Sequence, residues 1–145
     1  MSWSGLSPEL VWGLLPRFVG LLYIVGFGGL IGQHEVMPGG ARYFPLPQVF
    51  ARIRRDMPGI RRFFLFPTVL WANASDFTLQ AIPFLGVALG VCAVYGGTLG
   101  FYALIAAWVL WLSLEFRGLI FPWDTMLQEV GFLILFMPLV HEPRR

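Results

Sequence analysis

Four long apolar runs divide the chain, separated by stretches rich in proline, glycine and arginine. The first extends from about Leu10 to Ile31, roughly 33 Å of helix and enough to cross a bilayer. The second covers Phe77 to Tyr95, with Ser75 or Asp76 placed to cap its first turn through a side-chain oxygen. Pro83 stands one and a half turns inside it and predicts a kink. The third covers about Leu99 to Leu114. Only Gly96 and Gly97 separate it from the second, so the two runs form an antiparallel helical hairpin. The fourth, Thr125 to Val140, gives about 24 Å of helix, which is marginal for a span.

Small residues recur at helical spacing within these runs. Gly28 and Gly32, Gly86 and Gly90, and Ala103 and Ala107 each mark a face that lets a second helix approach closely. Between the first and second runs, Gln33 to Ser75 is broken by Pro38, Pro45, Pro47 and Pro58-Gly59. Within it, Gln48 to Met57 predicts a short amphipathic helix. Its Val49, Phe50 and Ile53 would face lipid, with Arg52, Arg54, Arg55 and Asp56 toward water or head groups. A solvated surface helix fits the same pattern. Phe63 to Trp71 is apolar but too short to span and is interrupted by Pro67. It reads as interfacial or re-entrant, with Trp71 at head-group depth.

Composition sharpens this into a class. The chain is 57% apolar and only 12% charged, against roughly a quarter charged in soluble domains. The expected fold is all-α: a polytopic transmembrane helical bundle of about four apolar helices with an interfacial amphipathic segment, residues 1–145 forming one transmembrane domain. Every basic residue is arginine, which fits a GC-rich bacterial genome and excludes chemistry that needs a lysine amine. Six of the ten arginines (Arg42, Arg52, Arg54, Arg55, Arg61, Arg62) lie in the connecting segment. They suit anionic lipid head groups and make nucleic acid a poor partner. Counting positive charge puts that segment on the cytoplasmic side. Cys92, the only cysteine, lies inside an apolar run and reads as a buried structural thiol. The N-terminus has no basic region and no small-residue cleavage site, so the first run reads as a retained span.

The candidate chemistry lies where charge meets these runs. Arg17, near the start of the first, can snorkel to the interface or pair with a membrane carboxylate. Asp124 stands where a helix N-cap stands; Thr125 with Gln128 is an equivalent capping arrangement. Glu129 lies more than a turn inside the fourth run, where a carboxylate is costly unless paired or protonated. Arg17 and Arg117 are its candidate partners. Asp124 and Glu129 together could also serve as an acid and a base near one cavity. No nucleophile motif, phosphate loop, metal-ligand spacing or cofactor motif is present, and His34-Glu35 lacks a third ligand.

Trp123-Asp124, Leu127, Glu129, Gly131-Phe132-Leu133 and Pro138 resemble the Trp-Asp-x-Leu-Leu-x-Glu-x-Gly-Phe-Leu-Ala…Pro signature of the lipase maturation factor family. Leu30-Ile31-Gly32 with Met37-Pro38 is similar to the family's segment after its first span. Pro67-Thr68-Val69-Leu70-Trp71 with Ser75-Asp76, and Trp111-Leu112-Ser113-Leu114, resemble further pieces in order. Gln128, Ile134 and His34-Glu35-Val36 depart from the usual residues. The resemblance implies a membrane protein that assists folding or assembly of secreted lipases. It also implies a longer architecture of which this chain is the N-terminal part, and a lumenal first loop in eukaryotic members, against the charge count. The family is distantly related to vitamin K-dependent carboxylases, whose chemistry needs a lysine base that this chain lacks.

Three functions are therefore in view. The first is a non-enzymatic membrane maturation factor acting on a lipase client. The second is a membrane enzyme or small-molecule binder using intramembrane carboxylates. The third is a helical subunit that docks on other membrane helices. The residues singled out are Trp123, Asp124, Glu129, Arg17, Asp76 and Arg117, no cofactor is implied, and the expected place is the bacterial cytoplasmic membrane, or the endoplasmic reticulum membrane in a eukaryote.

Overall fold

The computed structural model describes residues 8–31, 46–115 and 122–136. They form six α-helices and one 3-10 turn, with no strand among the described residues. The helices are α1 (Pro8–Ile31), α2 (Leu46–Asp56), α3 (Arg61–Leu65), α4 (Asp76–Tyr95), α5 (Gly97–Glu115) and α6 (Pro122–Ile134), with the 3-10 turn at Val69–Trp71 between α3 and α4. Three of them, α1, α4 and α5, are long and apolar enough to cross a membrane. At 13 residues, α6 covers only about 20 Å.

Close backbone approach builds the pairing of α1 with α4. A β-carbon on Gly90 would lie 2.7 Å from Ile24 Cγ1, and one on Gly20 would lie 2.9 Å from Ala93 Cβ. At Gly86 the same position is filled by the Phe27 ring. From Gly20 through Ile24 to Phe27 the partners step back from Ala93 through Gly90 to Gly86, so the helices run antiparallel. In lipid, where apolar tails compete equally for apolar side chains, such backbone proximity is what favours association. The Gly86/Gly90 face is therefore used inside the bundle. Ala103 and Ala107 are buried likewise. Gly28 is exposed, with nothing near its missing side chain, and Gly32 lies outside the described residues.

The core is a column along α1. Val19, Tyr23 and Phe27, spaced four apart, are fully buried against Leu79, Ile82 and Ala93 of α4 and Leu104, Ala107 and Trp111 of α5. The Trp111 ring stands edge-on to Phe27, with centroids 4.9 Å apart, an arrangement favoured by the ring quadrupoles. Ser75 caps α4, its Oγ accepting from the Thr78 amide at 3.3 Å. Asp76 is therefore the first helical residue and not the cap. The helix continues through Pro83 without a break. Gly96 and Gly97 join α4 to α5 with φ of 79° and 67°, a left-handed backbone that glycine adopts without steric penalty. Cys92 is half-buried and free.

The connecting segment folds back onto the opposite end of the bundle. The amphipathic helix forms over the expected residues, but its apolar face is turned inward. Leu46 and Phe50 are buried, and the Phe50 ring packs on Trp71 at 4.6 Å between centroids. Phe50 thus meets protein where lipid was expected, because Trp71 offers an aromatic surface of its own. Trp71 is half-buried and donates from Nε1 to the Phe66 carbonyl at 2.8 Å, and the Arg62 guanidinium lies 5.7 Å from its ring. Pro67 separates α3 from the 3-10 turn, as its missing donor requires. Leu70 is buried, and the Val69 amide donates to Ser113 Oγ of α5 at 3.0 Å.

Candidate functional site: a polar junction of three helices

The fourth apolar run forms α6, which lies in the groove between α1 and α5. It begins at Pro122, a favoured first helical residue because proline has no amide to leave unpaired there. Asp124 is consequently in the first turn and not at the cap, still well placed against the positive end of the helix. Thr125 and Gln128 lie inside the helix as well, so neither forms the expected capping arrangement. Two indole donors of α5 hold α6 in register. Trp108 Nε1 donates to the Gln128 carbonyl at 3.0 Å and Trp111 Nε1 to the Asp124 carbonyl at 3.4 Å.

This register divides α6 cleanly. Asp124, Leu127, Gln128, Gly131 and Ile134 are buried or half-buried; Thr125, Met126, Glu129, Val130, Phe132 and Leu133 are exposed. Glu129, expected inside the bundle, therefore faces outward. Arg17 lies toward the opposite end of the bundle, where its guanidinium packs over Gly96; a β-carbon there would be 3.3 Å from Nη2. No ion pair joins Arg17 to Glu129 among the described residues. Trp123 and Asp76 are helical, with side chains outside the description, and Arg117 lies outside the described residues altogether.

Asp124 instead keeps company that the sequence did not suggest. The Tyr23 hydroxyl, Glu115 Oε1 and both polar atoms of the Gln128 amide are buried, without a hydrogen-bond partner among the described residues. Tyr23 belongs to α1, Glu115 ends α5, and Asp124 and Gln128 open α6, three helices that pack on one another, and together these residues make up a polar junction. Burying such groups unpaired costs about 1–3 kcal/mol each, which sets them apart from ordinary core residues. The phenol and the amide can each donate to and accept from a small polar group. Among the described residues no three His, Cys, Asp or Glu side chains converge on a metal site.

A signal for this was present in the spacing. Gln128 follows Asp124 by four residues and shares its face, whereas Glu129 is a further 100° round the helix. Tyr23 gave no such signal, since nothing in an apolar run marks one hydroxyl as inward.

The family profile described as Lipase maturation factor transmembrane domain matches residues 11–145. The chain belongs to the lipase maturation factor family. It is 27% identical over 133 residues to Lipase maturation factor 1 of Bos taurus, covering 86% of this chain and 24% of the relative. Against Lipase maturation factor 1 of Mus musculus the identity is 25%, covering 86% of this chain and 23% of the relative. The chain thus spans about a quarter of the length of these relatives. No solved structure matches it. The family and the three spanning helices make it an integral membrane protein.

Proposed function

We propose that this chain is a membrane-embedded module of a lipase maturation factor, a chaperone-like part that assists folding or assembly of secreted lipases. The family match along residues 11–145 carries the reading. The packing supports it. The small-residue faces of α4 and α5 are spent within the bundle, and the Trp108 and Trp111 indoles hold α6 so that Met126, Glu129, Val130 and Leu133 face outward. On this reading Glu129 belongs to a contact surface for a client or for other membrane helices, and residues 1–145 form one transmembrane unit. Arginine without lysine supports a bacterial source and its cytoplasmic membrane, whereas both relatives are mammalian. Deleting the natural gene in its source organism tests the function. Secreted lipase activity should fall while lipase transcript is unchanged; unaltered secretion of active lipase would overturn the proposal.

A second reading rests on a separate observation. The Tyr23 hydroxyl, Glu115 Oε1 and the Gln128 amide, without hydrogen-bond partners among the described residues, are the kind of set that a small-molecule binder or membrane enzyme would use. Under it, altering Gln128 removes an activity without weakening the bundle.

A further inference from the structure

At the end of the bundle away from the polar junction, a cleft of about 220 Å³ opens between α1, the α4–α5 turn and α6. Its walls are apolar, formed chiefly by Trp12, Phe101, Leu104 and Ile134, and glycines at 96, 97 and 100 leave the space between them. One charged side chain lines it, that of Arg17. No ion pair to this guanidinium occurs among the described residues. The position of the cleft suits bilayer-surface depth. Arg17 packs on the turn that ends α4, α4 is long enough to cross the hydrocarbon layer, and Tyr95, 82% exposed beside the turn, suits a head-group belt.

We propose that this cleft binds an anionic amphiphile, with its oxyanion on Arg17 and the first part of one acyl chain against Phe101, Leu104 and Ile134. A guanidinium presents a planar fork of donors that fits phosphate or carboxylate oxygens. A permanently charged group bordering an apolar slot selects a ligand that is charged at one end and apolar beyond it. The volume is below the ~300–1,000 Å³ of sites that enclose a whole drug-sized ligand. The cleft therefore takes the head end of the chain and leaves the tail in the bilayer. Phospholipid phosphate and fatty-acid carboxylate share this chemistry. The site is separate from the polar junction and independent of any role in lipase maturation.

Native mass spectrometry of the full chain in nonionic detergent, titrated with phosphatidylglycerol, oleate and methyl oleate, tests it. Phosphatidylglycerol or oleate should bind at least about tenfold more tightly than methyl oleate, the size of loss expected when a charge-assisted bond is missing. Tight phosphatidylglycerol with weak oleate identifies a phospholipid site, and the reverse a fatty-acid site. Arg17→Gln should abolish the preference and Arg17→Lys should retain part of it. Gly13→Trp is the independent arm. Gly13 lines the cleft, and a β-carbon there meets nothing within 4 Å, so the indole should block binding while thermal unfolding is unchanged. Equal binding by wild type and Arg17→Gln, methyl oleate binding as tightly as oleate, or undiminished binding to a folded Gly13→Trp would each overturn the proposal.

Discussion

The hydroxyl of Tyr23 occupies the space in which residue 131 would carry a β-carbon. Gly131 is therefore the reason α6 can lie against α1 while Trp108 and Trp111 hold its backbone. Gly131→Ala should drive the new methyl into Tyr23 and against Trp108 Cδ1, 3.0 Å away, and destabilise the chain by about 1–3 kcal/mol, as overpacking does. Tyr23→Phe removes the first of the two clashing groups. The double variant should recover part of the loss in thermal unfolding in detergent, whereas simple additivity would refute the contact.

Gln128 and its neighbour Glu129 should respond oppositely to substitution. Gln128→Leu replaces a buried amide that has no hydrogen-bond partner among the described residues by an apolar group of similar size and should raise the unfolding midpoint, since the desolvation cost of about 1–3 kcal/mol is removed. Glu129→Gln, on the exposed face, should stay within about 0.5 kcal/mol of wild type. If Gln128→Leu also loses activity or ligand binding while gaining stability, the junction is a working site whose strain is retained for use.

Ser113 links the connecting segment to the bundle. Its fully buried Oγ accepts from the Val69 amide and donates to the Val109 carbonyl at 2.7 Å. Ser113→Ala leaves the Val69 amide unpaired and should cost about 1–3 kcal/mol. Hydrogen exchange should show the change at Val69 and Leu70 first, and unchanged protection there would count against the link.

The inward apolar face of α2 makes a proteolytic prediction. Arg52, Arg54 and Arg55 are exposed on a helix whose docking depends on Phe50 against Trp71. Trp71→Ala should release the helix and speed trypsin cleavage at these arginines several-fold, with the cores of α4 and α5 still protected. Cleavage at the wild-type rate would mean that Phe50 does not anchor it.

Helices, hairpin and membrane class were legible because a bilayer imposes length and apolarity on a segment whatever it packs against. The inward faces were harder to read. In α1, α4 and α5 the lipid side is as apolar as the protein side, so hydrophobicity does not separate Val25, which is exposed, from Phe27, which is buried; only small residues such as Gly86 and Gly90 betray the contact. The prominence of Glu129 came from its charge, and charge does not fix direction. The i to i+4 step from Asp124 to Gln128 puts the two on one face, but Tyr23 and Glu115 join them from more distant parts of the chain, which spacing does not reveal. The start of α6 was misjudged for a local reason: Pro122 opens the helix two residues before the carboxylate that resembled a cap.

The two-glycine turn also sets an order of events during biosynthesis. It brings α4 and α5 together as soon as both have left the ribosome, since almost no chain has to be closed. Contact between α1 and α4 must wait until residues 32–75 have been made. In that interval the column of Val19, Tyr23 and Phe27 rests against lipid, and the Tyr23 hydroxyl has only its own helix for company. Because α6 follows α1, α4 and α5 in the chain, Gly131 meets that hydroxyl only after those three helices have been made, and α6 acts as the latch on a bundle that until then stands partly open.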